Sequence, residues 1–221
     1  MLHSFPAWIP GRPAFLLGEI EENPGEDIGG VMVQLAQCGA KVIGMPCNTA
    51  HSPRILNAAL ARLHASCSGV RFVSIIESAV SHVRSLCPHG GRIGVLGTVA
   101  TLRTNLYQNE LEKSGLEPVV PDDSVCERVQ LAISGAEFGI KAFSDPVSPQ
   151  AREILLDAAK SLAERQKVSV ILLGCTEIPV AITETCLWNI PVVDATSVLA
   201  RALIRASCPE RLKALQGFPT S

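Results

Sequence analysis

Two stretches of the chain follow one pattern: KVIGMPCNTA at 41–50 and SVILLGCTEI at 169–178. In each, an apolar run rich in Val and Ile leads into a Pro or Gly, a cysteine and a polar turn that contains threonine. Such runs are typical of buried parallel strands, and the carboxyl end of such a strand is where open α/β sheets collect ligands. The repeated pattern therefore predicts two related halves, each with a cysteine at the end of a strand.

The rest of the chain alternates short β-branched runs with longer amphipathic segments, which is the pattern of parallel sheets covered by helices. The predicted strands are 41–45, 71–75, 92–96, 117–120, 168–173 and 190–193. Ser52-Pro53 and Ser148-Pro149 are predicted helix starts, and Gly39 and Gly115 are predicted helix ends. The predicted fold class is α/β, with two pseudo-symmetric parallel-sheet domains and an active site in the cleft between them.

The same pattern predicts where the halves divide. We expect a first α/β domain, with Cys47, made of residues 1–91 plus 195–221, and a second, with Cys175, made of residues 92–194. Gly90-Gly91 is the predicted first crossing. The segment after 194 is predicted to return to the first half as a closing helix.

Composition excludes several classes of function. The 221 residues carry a net charge of −2, from 19 Lys plus Arg and 21 Asp plus Glu, so no basic field predicts binding to nucleic acid. Apolar runs are too short for the roughly 20 residues that span a bilayer, and the N-terminus lacks the pattern of a signal peptide, so we expect a cytoplasmic protein without membrane partners. The eight cysteines form no Cys-x-x-Cys pair, so we predict thiols rather than disulfides and no metal site.

Cys47 and Cys175 differ from the other cysteines because each follows a strand and precedes a polar turn. Free N–H groups and the start of a helix at such a position are expected to favour thiolate over thiol. Two such cysteines facing one cleft suit the removal of a proton from one face of a carbon and its return to the other. Asn48, Thr49 and Thr176 are candidate donors for the charge that develops. The remaining cysteines are expected to be small hydrophobic residues: Cys38, Cys67, Cys87, Cys126, Cys186 and Cys208.

PCNTAH at 46–51 and LGCTEIP at 173–179 resemble the paired signatures of the aspartate/glutamate racemase superfamily, and of its cofactor-independent aspartate racemase branch in particular. The resemblance implies two α/β domains, with Cys47 and Cys175 as acid and base and no cofactor. Glu177 resembles the aspartate-like branch, because glutamate racemases typically have histidine after Cys-Thr. His51 matches the motif, but we assign it no role in proton transfer.

Three weaker matches add candidate substrate-binding residues to Asn48, Thr49, Thr176 and Glu177. Ile9-Pro10-Gly11-Arg12 resembles an I-P-x-R segment whose arginine grips a substrate carboxylate, which implies that role for Arg12. Gly139-Ile140-Lys141-Ala142 is similar to a G-V-K-A segment with a carboxylate-binding lysine, here Lys141. A third stretch resembles G-T-x-x-T…Y, in which Thr98 would cap a helix or contact substrate; its residues are Gly97, Thr98, Thr101 and Tyr107.

The resemblance runs from Leu2 to Leu203 and has two departures. Family members ordinarily have a strand, a G-G-x-G turn and a helix before the segment that matches Met1, and they commonly have glycine where this chain has Phe143. We expect a racemase of aspartate or glutamate, acting as a homodimer. The sequence leaves the two substrates unresolved, since they differ by one methylene worth about 1–3 kcal/mol. The alternatives are a dicarboxylate isomerase similar to maleate isomerase, and an inactive, truncated amino-acid-binding protein.

Overall fold

In the part of the chain that the structure describes, seven strands form two sheets. The computed structural model describes residues 1–5 and 7–213, so residues 214–221 of the predicted first domain lie outside the described residues. The strands are β1 (Val42–Gly44), β2 (Arg71–Val73), β3 (Arg92–Leu96), β4 (Glu117–Val119), β5 (Val170–Leu173), β6 (Cys186–Leu187) and β7 (Ile190–Asp194). All six predicted strands are present, and the two-residue β6 is an addition to them.

The strands pair into a small sheet and a large one. β1 and β2 are parallel, with Val42 opposite Arg71. The large sheet has the order β4-β3-β5-β7-β6, and all its pairs are parallel except the antiparallel pair of β6 with β7. This confirms the α/β class with parallel sheets, although the two sheets differ in strand number. Within each sheet the carboxyl ends of the parallel strands lie at one edge.

Helices separate these strands along the chain. They are α1 (Arg12–Leu17), α2 (Pro24–Gln37), α3 (Pro53–Ser66), α4 (Ile75–Leu86), α5 (Val99–Arg103), α6 (Leu106–Lys113), α7 (Asp123–Ser134), α8 (Pro149–Glu164), α9 (Ile178–Ala181) and α10 (Ala195–Ser207). The predicted starts of α3 and α8 are confirmed, although neither Ser52 nor Ser148 makes a side-chain cap. Gly39 and Gly115, just past α2 and α6, have φ of 94° and 71°, a left-handed conformation that glycine adopts without strain. None of the described helices is both long enough and apolar enough to cross a membrane.

The central strands of the large sheet, β3 and β5, are buried on both faces. Ile93 and Val95 pack with α4, α6 and α10 on one face, and Leu96 and Ile171 pack with α7 and α8 on the other. The small sheet packs Ile43 against α2 and α3. Two-sided burial explains why the central strands β3 and β5 are nearly continuous apolar runs in the sequence.

α10 links the two sheets. It begins at the end of β7, where the Asp194 carboxylate accepts hydrogen bonds from the N–H groups of Thr196 (2.8 Å) and Ser197 (3.2 Å). It then packs along α4 and against β1, where a Cβ added to Gly44 would lie 3.0 Å from Leu203. The helix predicted after residue 194 therefore lies against the sheet that carries Cys47.

Candidate active site

The first cysteine turn follows β1. Cys47 is half-buried and is followed by a 3-10 turn, Thr49–His51, that leads into α3. The His51 ring bridges this turn to the start of α4: Nδ1 donates to the Cys47 carbonyl (2.9 Å), and Nε2 accepts from the Ile75 N–H (3.3 Å). Burial lowers the pKa of His51 to about 4, against the opposing effect of the hydrogen bond to the Cys47 carbonyl. His51 is therefore neutral and holds the backbone of the turn in place.

The second cysteine turn follows β5 and Gly174. The Cys175 thiol is buried and donates to Oε2 of Glu177 at 2.9 Å. The Thr176 hydroxyl donates to the same oxygen at 3.1 Å, and Nζ of Lys141 lies 3.7 Å from the other carboxylate oxygen, Oε1. Three of the predicted site residues, Lys141, Thr176 and Glu177, thus surround the predicted catalytic Cys175.

These contacts set opposite charge states for Cys175 and Glu177. Burial, followed by the charge of Glu177, raises the pKa of the Cys175 thiol. Burial also opposes ionisation of Glu177, but hydrogen bonds from Cys175 and Thr176 and the charge of Lys141 outweigh it and lower the pKa of that carboxyl. From their positions in the sequence, both cysteines are expected to be thiolates. At Cys175 this expectation is wrong, because α9 is a single turn that starts three residues later and burial beside a carboxylate dominates.

Three threonine hydroxyls join the first cysteine turn to the start of α5. Oγ1 of Thr49 lies 2.9 Å from Oγ1 of Thr101 and 3.4 Å from that of Thr98, and Thr98 and Thr101 are 2.9 Å apart. Thr98 also accepts from the Thr101 N–H (3.2 Å) and so caps α5, as the resemblance suggested. All three side chains are buried. The hydroxyls of the two predicted substrate-binding threonines, Thr49 and Thr98, therefore bond to each other and to Thr101.

Asn48 links the first cysteine turn to α6. The fully buried Tyr107 hydroxyl donates to Oδ1 of Asn48 at 2.5 Å, whereas Nδ2 of Asn48 is buried without a hydrogen-bond partner among the described residues. The sequence patterns contain Thr101 and Tyr107 but assign neither residue a role. The available signals were the three-residue spacing of Thr98 and Thr101, which suits a cap, and the fact that Tyr107 is the only tyrosine of the chain.

The two predicted carboxylate-binding cations lie in different surroundings. Arg12 is half-buried at the first turn of α1, which packs against both α5 and the Thr49–His51 turn, and it forms no ion pair with any described carboxylate. The Lys141 side chain is 47% exposed and paired with Glu177. Phe143, the departure from the family pattern, is half exposed.

The six other cysteines and a groove between two helices belong to neither cysteine turn. All eight cysteines are free, and Cys38 and Cys186 are exposed rather than packed as small hydrophobic residues. A groove of about 880 Å³ runs along α4 and α10, but neither Cys47 nor Cys175 lines it. In the described part of the chain, no three His, Cys, Asp or Glu side chains are grouped as metal ligands.

Comparison with known proteins places this arrangement in a family. The family model described as Asp/Glu/Hydantoin racemase matches residues 7–203. The chain is 27% identical to the broad specificity amino-acid racemase RacX of Bacillus subtilis over 176 residues, which are 78% of this chain and 67% of RacX. It is 28% identical to the glutamate racemase of Aquifex pyrophilus over 167 residues, which are 75% of this chain and 58% of that enzyme.

Among solved structures, the aspartate racemase of Picrophilus torridus is similar with a TM-score of 0.72 and 27% identity, covering 93% of this chain and 78% of that one. The family match spans both cysteine turns, the threonine cluster and Tyr107. The chain is a member of the Asp/Glu/hydantoin racemase family.

Proposed function

We propose that the protein racemises a small acidic amino acid, aspartate or glutamate, with Cys47 and Cys175 as its two acid–base groups. The cleft of this proposal lies between the half made of residues 1–91 and 195–221 and the half made of residues 92–194. The observation that supports it best is the hydrogen bond from the Cys175 thiol to Glu177. A protonated cysteine on a carboxylate is a proton donor with a route for exchanging its proton, which is what one face of a racemisation requires.

The reaction then needs only two proton transfers. The Cys47 thiolate takes the α-proton, the C–H electron pair passes into the α-carboxylate as an enediolate, and the Cys175 thiol delivers its own proton to the opposite face of the carbon. Cys47 is left as a thiol and Cys175 as a thiolate. The reverse reaction, or proton exchange through Glu177 and solvent, restores the starting state.

Two cations favour a substrate with two carboxylates. Arg12 lies on a helix in contact with the Thr49–His51 turn, and Lys141 lies beside the Cys175 turn. An apolar amino acid has one carboxylate and could engage only one of these cations, whereas a dicarboxylate can bind both. In this proposal Asn48, Thr49, Thr98 and Thr176 contact the substrate when it enters, and the developing enediolate needs such donors.

The test is proton exchange in deuterated water. The purified chain, kept reduced, is incubated with L-aspartate or L-glutamate, while NMR follows loss of the α-proton signal and chiral chromatography follows the D-enantiomer. We expect both signals for at least one substrate. Replacing either cysteine, Cys47→Ser or Cys175→Ser, is expected to abolish racemisation, since serine is far too weakly acidic to replace a thiol in this role.

Matched controls separate chemistry from folding. Cys67→Ser changes a half-buried cysteine like Cys47, and Cys126→Ser changes a buried one like Cys175; both are expected to keep the wild-type rate. A near-wild-type rate in Cys47→Ser or Cys175→Ser would contradict the two-cysteine mechanism. No exchange with either amino acid, together with isomerisation of maleate in a parallel incubation, would instead support the dicarboxylate isomerase.

A further inference from the structure

Tyr107 contacts both cysteine turns. Its hydroxyl donates to Oδ1 of Asn48, the residue after Cys47, at 2.5 Å. Its ring lies against Gly174, the residue before Cys175, so closely that a Cβ added there would be 2.8 Å from Cε2 of Tyr107. One side chain on α6 therefore lies between the residues that neighbour the two predicted acid–base groups.

The hydrogen bond to Tyr107 also fixes the orientation of the Asn48 amide. Because the hydroxyl takes Oδ1, the NH2 end of the amide points away from Tyr107, and it is left buried without an acceptor among the described residues. A buried donor without a partner costs free energy, and an acceptor that binds to it removes this cost. Without the hydroxyl, the amide could rotate and present its oxygen, which would repel a substrate carboxylate.

We propose that Tyr107 is a positioning residue for the racemase reaction: it orients Asn48 so that Nδ2 donates to the substrate carboxylate as negative charge develops there. The proposal rests on the proposed racemase function. Tyr107 is not itself an acid or base in this scheme, because its complete burial raises its pKa and keeps the phenol protonated, and the charge of Asp194 acts in the same direction.

The test uses Tyr107→Phe, which removes the hydroxyl and keeps the ring against Gly174. We expect kcat to fall about tenfold, the value of one hydrogen bond of about 1.4 kcal/mol, with a smaller change in KM. The effect should vanish in an Asn48→Ala background, so that the double variant is no slower than Asn48→Ala alone. The control Thr104→Val removes a hydroxyl bonded to the Ala100 carbonyl in the neighbouring α5 and is expected to leave kcat unchanged. An unchanged kcat in Tyr107→Phe, or equal losses in both backgrounds, would overturn the proposal.

A readout without turnover separates this inference from the proposed function. In ¹⁵N-labelled protein, the side-chain NH2 signals of Asn48 are identified by their loss in Asn48→Ala. We expect Tyr107→Phe to shift these signals strongly and Thr104→Val to leave them in place. Unshifted Asn48 signals in Tyr107→Phe would overturn the positioning role even if the wild-type chain racemises. An inactive wild type with shifted signals would count against the racemase function and leave the Tyr107–Asn48 coupling supported.

Discussion

At the scale of single residues, Glu177 favours the protonated form of Cys175. Its carboxylate accepts from the thiol, and burial and this negative charge together raise the pKa of Cys175. The sequence predicted the two cysteine turns from strand endings and polar neighbours, and the structure places both at such endings. The sequence alone could not predict that Cys175 is a thiol, because its burial and the direction of the Glu177 side chain depend on the packing of distant segments.

Removing the charge of Glu177 is expected to shift the pH dependence of kcat/KM. In Glu177→Gln the negative charge that disfavours the Cys175 thiolate is lost while Lys141 remains, so the pKa of Cys175 falls and the alkaline limb of the profile moves to lower pH. The measurement is the pH–rate profile of racemisation for wild type and variant. Glu184→Gln, which removes a carboxylate paired with Arg152, is the control and should leave the limb in place. An unshifted limb in Glu177→Gln would show that Glu177 does not control this thiol.

At the scale of elements, α2 and α3 pack backbone to backbone beneath the small sheet. A Cβ added to Gly29 would lie 2.9 Å from the Ala59 carbonyl oxygen and 2.8 Å from Cβ of Arg62, whereas one added to Gly30 would meet only the flexible end of the Arg62 side chain, at 3.3 Å. We expect Gly29→Ala to lower the free energy of unfolding by about 1–2 kcal/mol, since overpacking outweighs the gain in helix propensity. Gly30→Ala should raise it by about 0.5–1 kcal/mol. Urea unfolding followed by circular dichroism measures both, and equal effects of the two substitutions would contradict this packing.

The same elements show what a sequence pattern can predict. Buried strands such as β3 and β5 were predictable because burial on both faces leaves a continuous apolar run. The starts of α3 and α8 were predictable because proline is tolerated in the first turn. β6 has two residues and no pattern of its own, and the contact of Gly29 with α3 depends on the relative position of two helices rather than on either sequence.

At the scale of the whole molecule, His51 makes stability depend on pH. Its pKa is lowered from 6.5 to about 4 in the folded protein. Between these values the unfolded chain binds the proton more readily, so stability is complete above pH 6.5 and is lost as the pH falls toward 4. We expect the His51 contribution to cost about 2 kcal/mol between pH 7 and pH 5. Urea unfolding at pH 5, 6 and 7 measures this for wild type and for His51→Gln, which cannot titrate. The two chains should differ in their pH dependence by that amount, and parallel curves would mean that His51 does not titrate on unfolding.

The exposed thiols of Cys38 and Cys186 have a consequence for handling the protein. Two accessible thiols on different copies can be oxidised by air to an intermolecular disulfide, with no complementary surface needed between the copies. In size-exclusion chromatography such covalent pairs would elute at the size of the predicted homodimer, but dithiothreitol would reduce them to single chains. Sizing the protein with and without reductant therefore separates such covalent pairs from a dimer held by non-covalent contacts.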